Sequence, residues 1–189
     1  MKKILSCSFY RLLLALILLL NKNVYAQCGS ERWDVKILND AEVGDIIFTP
    51  NSSTVHKQLA FPKPAYHENN ARDATEKKVY RVNCKLVKYK VENDSDWHLV
   101  VQDLVTNEKM VVEIPSLNCI DQSNPRFNKI DISRRRLRNQ VGRVTTQYRL
   151  PPAGTRLQIT GVGFFDKSNH PAGFKGRELH PVLELKVLQ

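Results

Sequence analysis

The sequence has no apolar run long enough to cross a membrane comfortably. Its longest, residues 12–20, stops sharply at Asn21-Lys22-Asn23, well short of the roughly 20 residues that a helical span needs. There is no Cys-X-X-Cys pair, no glycine-rich phosphate loop and no Ser-His-Asp order. These absences argue against thioredoxin-like redox chemistry, P-loop nucleotide hydrolysis and a serine-hydrolase triad. No internal repeat and no low-complexity tract is present, so neither a solenoid nor a disordered chain is indicated.

What remains at the start reads as a secretory signal. Lys2 and Lys3 precede the apolar run, and Val24-Tyr25-Ala26 supplies a cleavage site. Cleavage after Ala26 is expected, which places the mature protein in an exported compartment, periplasmic or secreted, with no transmembrane span. An uncleaved anchor is the alternative. Lipidation at Cys28 is disfavoured, because Gln27 is large and polar where a small residue is wanted. The whole chain carries a formal charge of +10. The leader holds Lys2, Lys3, Arg11 and Lys22 and no acid, so the mature chain keeps four fewer positive charges than the whole. A basic exported protein is biased toward anionic partners such as nucleic acid, phospholipid or glycan.

Three cysteines follow the leader: Cys28, Cys84 and Cys119. An oxidising compartment permits one disulfide. Cys84 alternates in register with Tyr80, Val82 and Leu86, which puts it on the buried face of a strand. Cys28 and Cys119 lie in loop-like sequence, so Cys28–Cys119 is the favoured pair and Cys84 the free thiol. All three reduced is the competing reading, since pairing cannot be deduced from sequence alone.

Residues 27–78 read as an N-terminal extension. Residues 33–38 and 46–48 look like short strands, and a short helix near Thr54 is broken by Pro62 and Pro64. From residue 79 the pattern sharpens into strands over 79–92, 97–105 and 109–115, each bounded by a turn. A helix is predicted over 125–141, where Phe127, Ile130, Leu137 and Val141 recur at helical spacing. Strands over 155–165 and 178–188 complete a β-β-β-α-β-β order. That is the order of the OB-fold, so the expected class is mainly β with one helix, an OB-like five-stranded barrel over 79–189.

In an OB-fold the loops joining strands one to two and four to five border the ligand face. The first carries Asp94, Asp96, Trp97 and His98; the second carries Asp166 and His170 and leads into Glu178 and His180. Seven of these, all but Trp97, are candidate ligands for a divalent metal, through carboxylate oxygen and imidazole nitrogen. Such an ion could activate water for attack on a phosphodiester. The plainer reading is that Asp94 and Asp96 are turn residues satisfying local backbone groups. Asp103 and Glu113 are expected to pair with neighbouring Arg or Lys. Gly163, within a strand, signals a bend or a close backbone approach.

The densest charge lies on the helix. Arg134, Arg135, Arg136 and Arg138, with Trp97, are the candidate contacts for an anionic ligand, nucleic acid or oligosaccharide. A solvated helix face is the competing reading. No aromatic ladder interleaves these arginines, as single-strand binding would want.

Several segments taken together carry a resemblance: Asp94-X-Asp96-X-His98-Leu99-Val100-X-X-Asp103, Glu113-Ile114-Pro115 with Cys119, residues 161–166, and Glu178-Leu179-His180-Pro181-Val182-Leu183. They resemble a family of small, functionally uncharacterised bacterial proteins that are secreted or lipid-attached. The resemblance implies export and no particular activity. The element order also looks like that of staphylococcal-nuclease-type OB domains, whose catalytic Arg and carboxylate motifs do not align here. The expected function is therefore an exported OB-fold binding module for an anionic ligand. A metal-dependent phosphodiester hydrolase and a structural envelope protein are the alternatives.

Overall fold

A computed structural model of the chain describes residues 28–29, 31–65, 71–166 and 176–188. Six strands form one sheet: β1 (Ile47–Ser53), β2 (Lys78–Val91), β3 (Trp97–Gln102), β4 (Lys109–Ile114), β5 (Arg156–Phe165) and β6 (Arg177–Leu188). Their order is β1-β2-β3-β4-β6-β5, and β5 returns to pair with β2. The last five strands therefore close into a barrel. The β4–β6 pair is parallel, while β2–β3, β3–β4, β5–β6 and β2–β5 are antiparallel. This is the OB-like Greek-key barrel expected from the element order. The extra strand β1 adds in parallel to the N-terminal half of β2. Three helices accompany the sheet among the described residues: α1 (Trp33–Ile37), α2 (Val55–Leu59) and α3 (Phe127–Val141).

The strands follow from period-two patterning. Trp97, Leu99 and Val101 of β3, Met110, Val112 and Ile114 of β4, and Leu179, Val182 and Leu185 of β6 all join one buried core. Alternation then sends His98, Glu113, Glu178 and His180 to the outer face. On β6 the register shifts: Gly161 pairs with Val182 but Gly163 pairs with Leu179. Three steps on β6 thus oppose two on β5, which is a bulge at His180 and Pro181. It lets Leu179 and Val182 both face inward while His180 turns outward.

An outer barrel face normally meets water. Here the N-terminal segment covers it. Cys28 is bonded to Cys119, just beyond β4, with Cα atoms 5.7 Å apart, and Cys84 is the buried free cysteine. Pinned by that bond, α1 buries Val35 and Ile37, and the Asn124 side-chain amide donates to the Ile37 carbonyl at 3.1 Å. Residues 33–37 form a helix rather than the expected strand. Five residues cannot hold a helix alone, and the Val-Lys-Ile-Leu pattern suits either state. Packing decides, with Arg32 and Leu38 in left-handed conformations at the two ends. Arg32 is itself buried, its guanidinium paired with both Glu76 carboxylate oxygens at 2.7 and 2.8 Å. Among the described residues no helix is long and apolar enough to cross a membrane.

Candidate metal centre

Under this cover the outer faces of β3, β4 and β6 bring two histidines and several carboxylates together. The β3–β4 register sets His98 opposite Glu113. The parallel pairing of Val112 with Leu179 sets His180 beside Glu113. The β2–β3 loop adds Asp96, whose Oδ1 accepts a hydrogen bond from the Ser116 amide at 2.7 Å.

Glu113 lies at the middle. Its Oε1 is 2.8 Å from His98 Nδ1 and its Oε2 is 3.1 Å from His180 Nδ1. On the far side, His180 Nε2 lies 3.3 Å from Asp96 Oδ2. On the near side, His98 Nδ1 also lies 3.1 Å from Glu92 Oε1. Glu178 Oε2 approaches His180 Nδ1 at 4.0 Å. The contacts of His180 are close but misaligned, so Asp96 Oδ2 and both His180 ring nitrogens are buried without a hydrogen-bond partner. Buried polar atoms are rarely left so.

Electrostatics reinforces the geometry. Burial opposes a charge on His180, but Asp96 and Glu113 outweigh it and raise the imidazole to about 9. Burial likewise opposes ionisation of Glu113, yet contacts with His180 and His98 hold its carboxyl well below the usual range. Burial also works against the Lys36 ammonium, while Glu113, Glu178, Asp166 and Asp96 overcome it and raise the group. Asp94 is pushed up by burial and by Asp96. Lys36 and the His180 imidazolium lie among Asp96, Glu113, Asp166 and Glu178, with Lys90 acting on Glu113 and Arg134 on Asp96.

Two groups of side chains have the composition of a cation site. Ligand atoms of Asp96, Glu113 and His180 lie within 4.8 Å of one another, and so do those of Glu92, His98 and Glu113. Around an ion with bonds of about 2.0–2.2 Å, neighbouring donors stand roughly 3.0–3.5 Å apart. The donor atoms of each group lie within 4.8 Å of one another, and because His180 turns opposite ring nitrogens to Glu113 and Asp96, an ion there requires the side chains to rotate inward. Imidazole with carboxylate suits a borderline divalent ion such as zinc or manganese better than calcium, which prefers oxygen alone.

The two groups differ in access. Asp96 and His180 have no solvent exposure. The Glu92 side chain is 34% exposed, and beyond it Tyr148 packs edge-on to His98 with ring centroids 5.9 Å apart. Lys88 Nζ and Lys90 Nζ lie 3.9 and 5.0 Å from the Tyr148 ring centre. The outer group therefore opens toward a cationic and aromatic rim.

Of the seven expected metal ligands, Asp96, His98, Glu178 and His180 are buried together, and Asp94 and Asp166 lie at the margin of the cluster. His170 lies outside the described residues. Glu113 was expected to pair with Arg or Lys; it instead joins the two histidines. The signal for it was its place opposite His98 in a three-strand meander, but its contact with His180 needed the barrel to close. Asp103 caps its own turn, accepting from the amides of Val105 and Thr106, and takes a further bond from the His56 amide.

Of the expected anion contacts, Trp97 and Arg134 are turned into the barrel, while Arg135, Arg136 and Arg138 are exposed on the helix. Trp97 is buried in the core, with the Arg134 and Arg138 guanidinium carbons 4.1 and 5.4 Å from its ring centre. Arg134 donates to the carbonyls of Ile114 and Pro115 at 3.0 and 2.7 Å, and burial lowers it to about 10. Arg136 donates to the Leu185 carbonyl at 3.2 Å. Arg135 pairs with Asp131 one turn away at 3.0 Å. Trp97 is thus an internal wedge that α3 covers, and Arg134 ties α3 to the barrel.

In comparison with known proteins, no family model matches the chain and no curated protein matches it.

Proposed function

We propose that this protein is an exported OB-fold module that holds a buried divalent metal ion beneath its ligand face and engages an anionic ligand at the rim beside it. The observation that carries the reading is the convergence of Asp96, Glu113 and His180, buried, with donor atoms unsatisfied on Asp96 and His180. The mixed carboxylate and imidazole donor set supports a cation. The Lys88 and Tyr148 rim supports an anion beside it, because a bound ion and an ammonium group together favour phosphate or carboxylate oxygens; the neighbouring Lys90 is paired with Glu92 at 2.9 Å. The disulfide supports an oxidising compartment. The binding reading is favoured over hydrolysis because the inner group is closed, whereas a catalytic ion needs an open position.

Calorimetry on chelator-treated protein with zinc, manganese and calcium tests this. Binding of zinc or manganese is expected, abolished in Asp96→Ala/His180→Ala and strongly weakened in Glu113→Gln, with the fold checked by circular dichroism. A wild-type protein that takes up none of the three ions would overturn the reading.

A further inference from the structure

Resting on that reading, we propose that the centre is dinuclear, with Glu113 as a carboxylate bridge between an inner and an outer ion. The two oxygens of Glu113 face different histidines: Oε1 lies 2.8 Å from His98 Nδ1 and Oε2 lies 3.1 Å from His180 Nδ1. Each histidine has a second carboxylate, Glu92 at 3.1 Å from His98 and Asp96 at 3.3 Å from His180; Glu92 Oε1 is also paired with Lys90 Nζ at 2.9 Å, an ammonium that an outer ion would displace. The two halves differ: Glu92 and Glu113 face the same His98 nitrogen, Nδ1, whereas Glu113 faces Nδ1 and Asp96 faces Nε2 of His180, so the inner ion requires the imidazole to turn until one nitrogen meets both carboxylates. Each half supplies one imidazole and one terminal carboxylate, and the shared carboxylate completes both. At the outer ion three protein donors leave room for a ligand oxygen, whereas the inner ion is closed off from solvent.

The halves are built by different parts of the fold. The inner ion draws on the β2–β3 loop, β4 and β6. The outer ion draws on the end of β2 with β3 and β4. Glu113 is the one side chain common to both. Its buried position suits a bridge, because a carboxylate between two cations is neutralised from both sides and escapes the cost of isolated burial. The outer ion sits toward the exposed Glu92 and the Tyr148, Lys88 and Lys90 rim, so an anionic ligand would reach it first. The inner ion would hold the loop and β6 in place.

Manganese is the probe, because its spin reports whether two ions share a bridge. Chelator-treated full-length protein is loaded with Mn²⁺, the bound metal is counted by mass spectrometry, and electron paramagnetic resonance is recorded. The expected result is two ions per chain with an exchange-coupled spectrum. His98→Ala should retain one ion and show the six-line spectrum of an isolated Mn²⁺. Glu92→Gln, at a part-exposed position, should weaken the outer ion alone and guards against a misfolded His98 variant. Glu113→Gln should remove the coupling. One ion per chain in the wild type, unchanged by His98→Ala and Glu92→Gln, would overturn the dinuclear centre and leave the single-ion reading standing. No bound ion would overturn both.

Discussion

Removing the disulfide tests how the cover over the candidate metal face is held. The perturbation is Cys28→Ser with Cys119→Ser. The two cysteines are 91 positions apart, and a cross-link closing a loop of that size restricts the unfolded chain by about 4–5 kcal/mol at 25 °C in the chain-entropy treatment. That full effect appears only if the N-terminal segment stays docked once the bond is gone. The structure says it should. Val35 and Ile37 remain buried, and Arg32 keeps its paired bonds to the buried Glu76, a pair whose breakage costs about 3–5 kcal/mol. The native state is then unchanged, and the loss comes from the looser unfolded state. Urea unfolding followed by tryptophan fluorescence measures it, since Trp97 is buried and must become exposed. A fall of about 4 kcal/mol with native spectra is expected. A loss under about 1 kcal/mol would refute the reasoning, as would a variant whose first 40 residues exchange amide hydrogens freely while the barrel stays intact. The second outcome would mean that the bond, and not packing, docks the segment.

Further outcomes follow from single contacts. A Cβ built on Gly163 would stand 2.5 Å from the Thr75 carbonyl oxygen, so Gly163→Ala should cost about 2 kcal/mol or more, read as a lower urea midpoint. Arg134→Ala should destabilise by about 1–3 kcal/mol because it strands buried carbonyls, whereas Arg135→Ala, whose partner is one turn away on an exposed surface, should change stability by only about 0.5 kcal/mol; thermal melts of the pair decide. Burial pushes the Cys84 thiol far above its usual range, and nucleophilic attack needs the thiolate. Native protein at pH 8 should therefore leave Cys84 unlabelled by iodoacetamide, with labelling appearing only in denaturant, as peptide mass mapping would show.

The residues themselves determined the strands, the long helix and the choice of disulfide. These rest on short-range patterns: alternation in β2 to β6, helical spacing of Ile130 and Leu137, and the register of Cys84 with Val82 and Leu86. Element order then determined the OB-like barrel and the two loops at one of its rims, so Asp96, His98 and His180 could be named together before any contact was known. Tertiary structure decided the rest. The state of residues 33–37 depended on docking, because five residues have no preference strong enough to settle it. The burial of Trp97 depended on α3 crossing its edge, which turned an apparent stacking platform into core. The role of Glu113 was decided last. On β4 its only predictable neighbours were those across β3. Pairing β4 in parallel with β6, a strand more than 60 residues further along the chain, set a second histidine against its other oxygen. Only barrel closure makes that contact, and no local pattern encodes it.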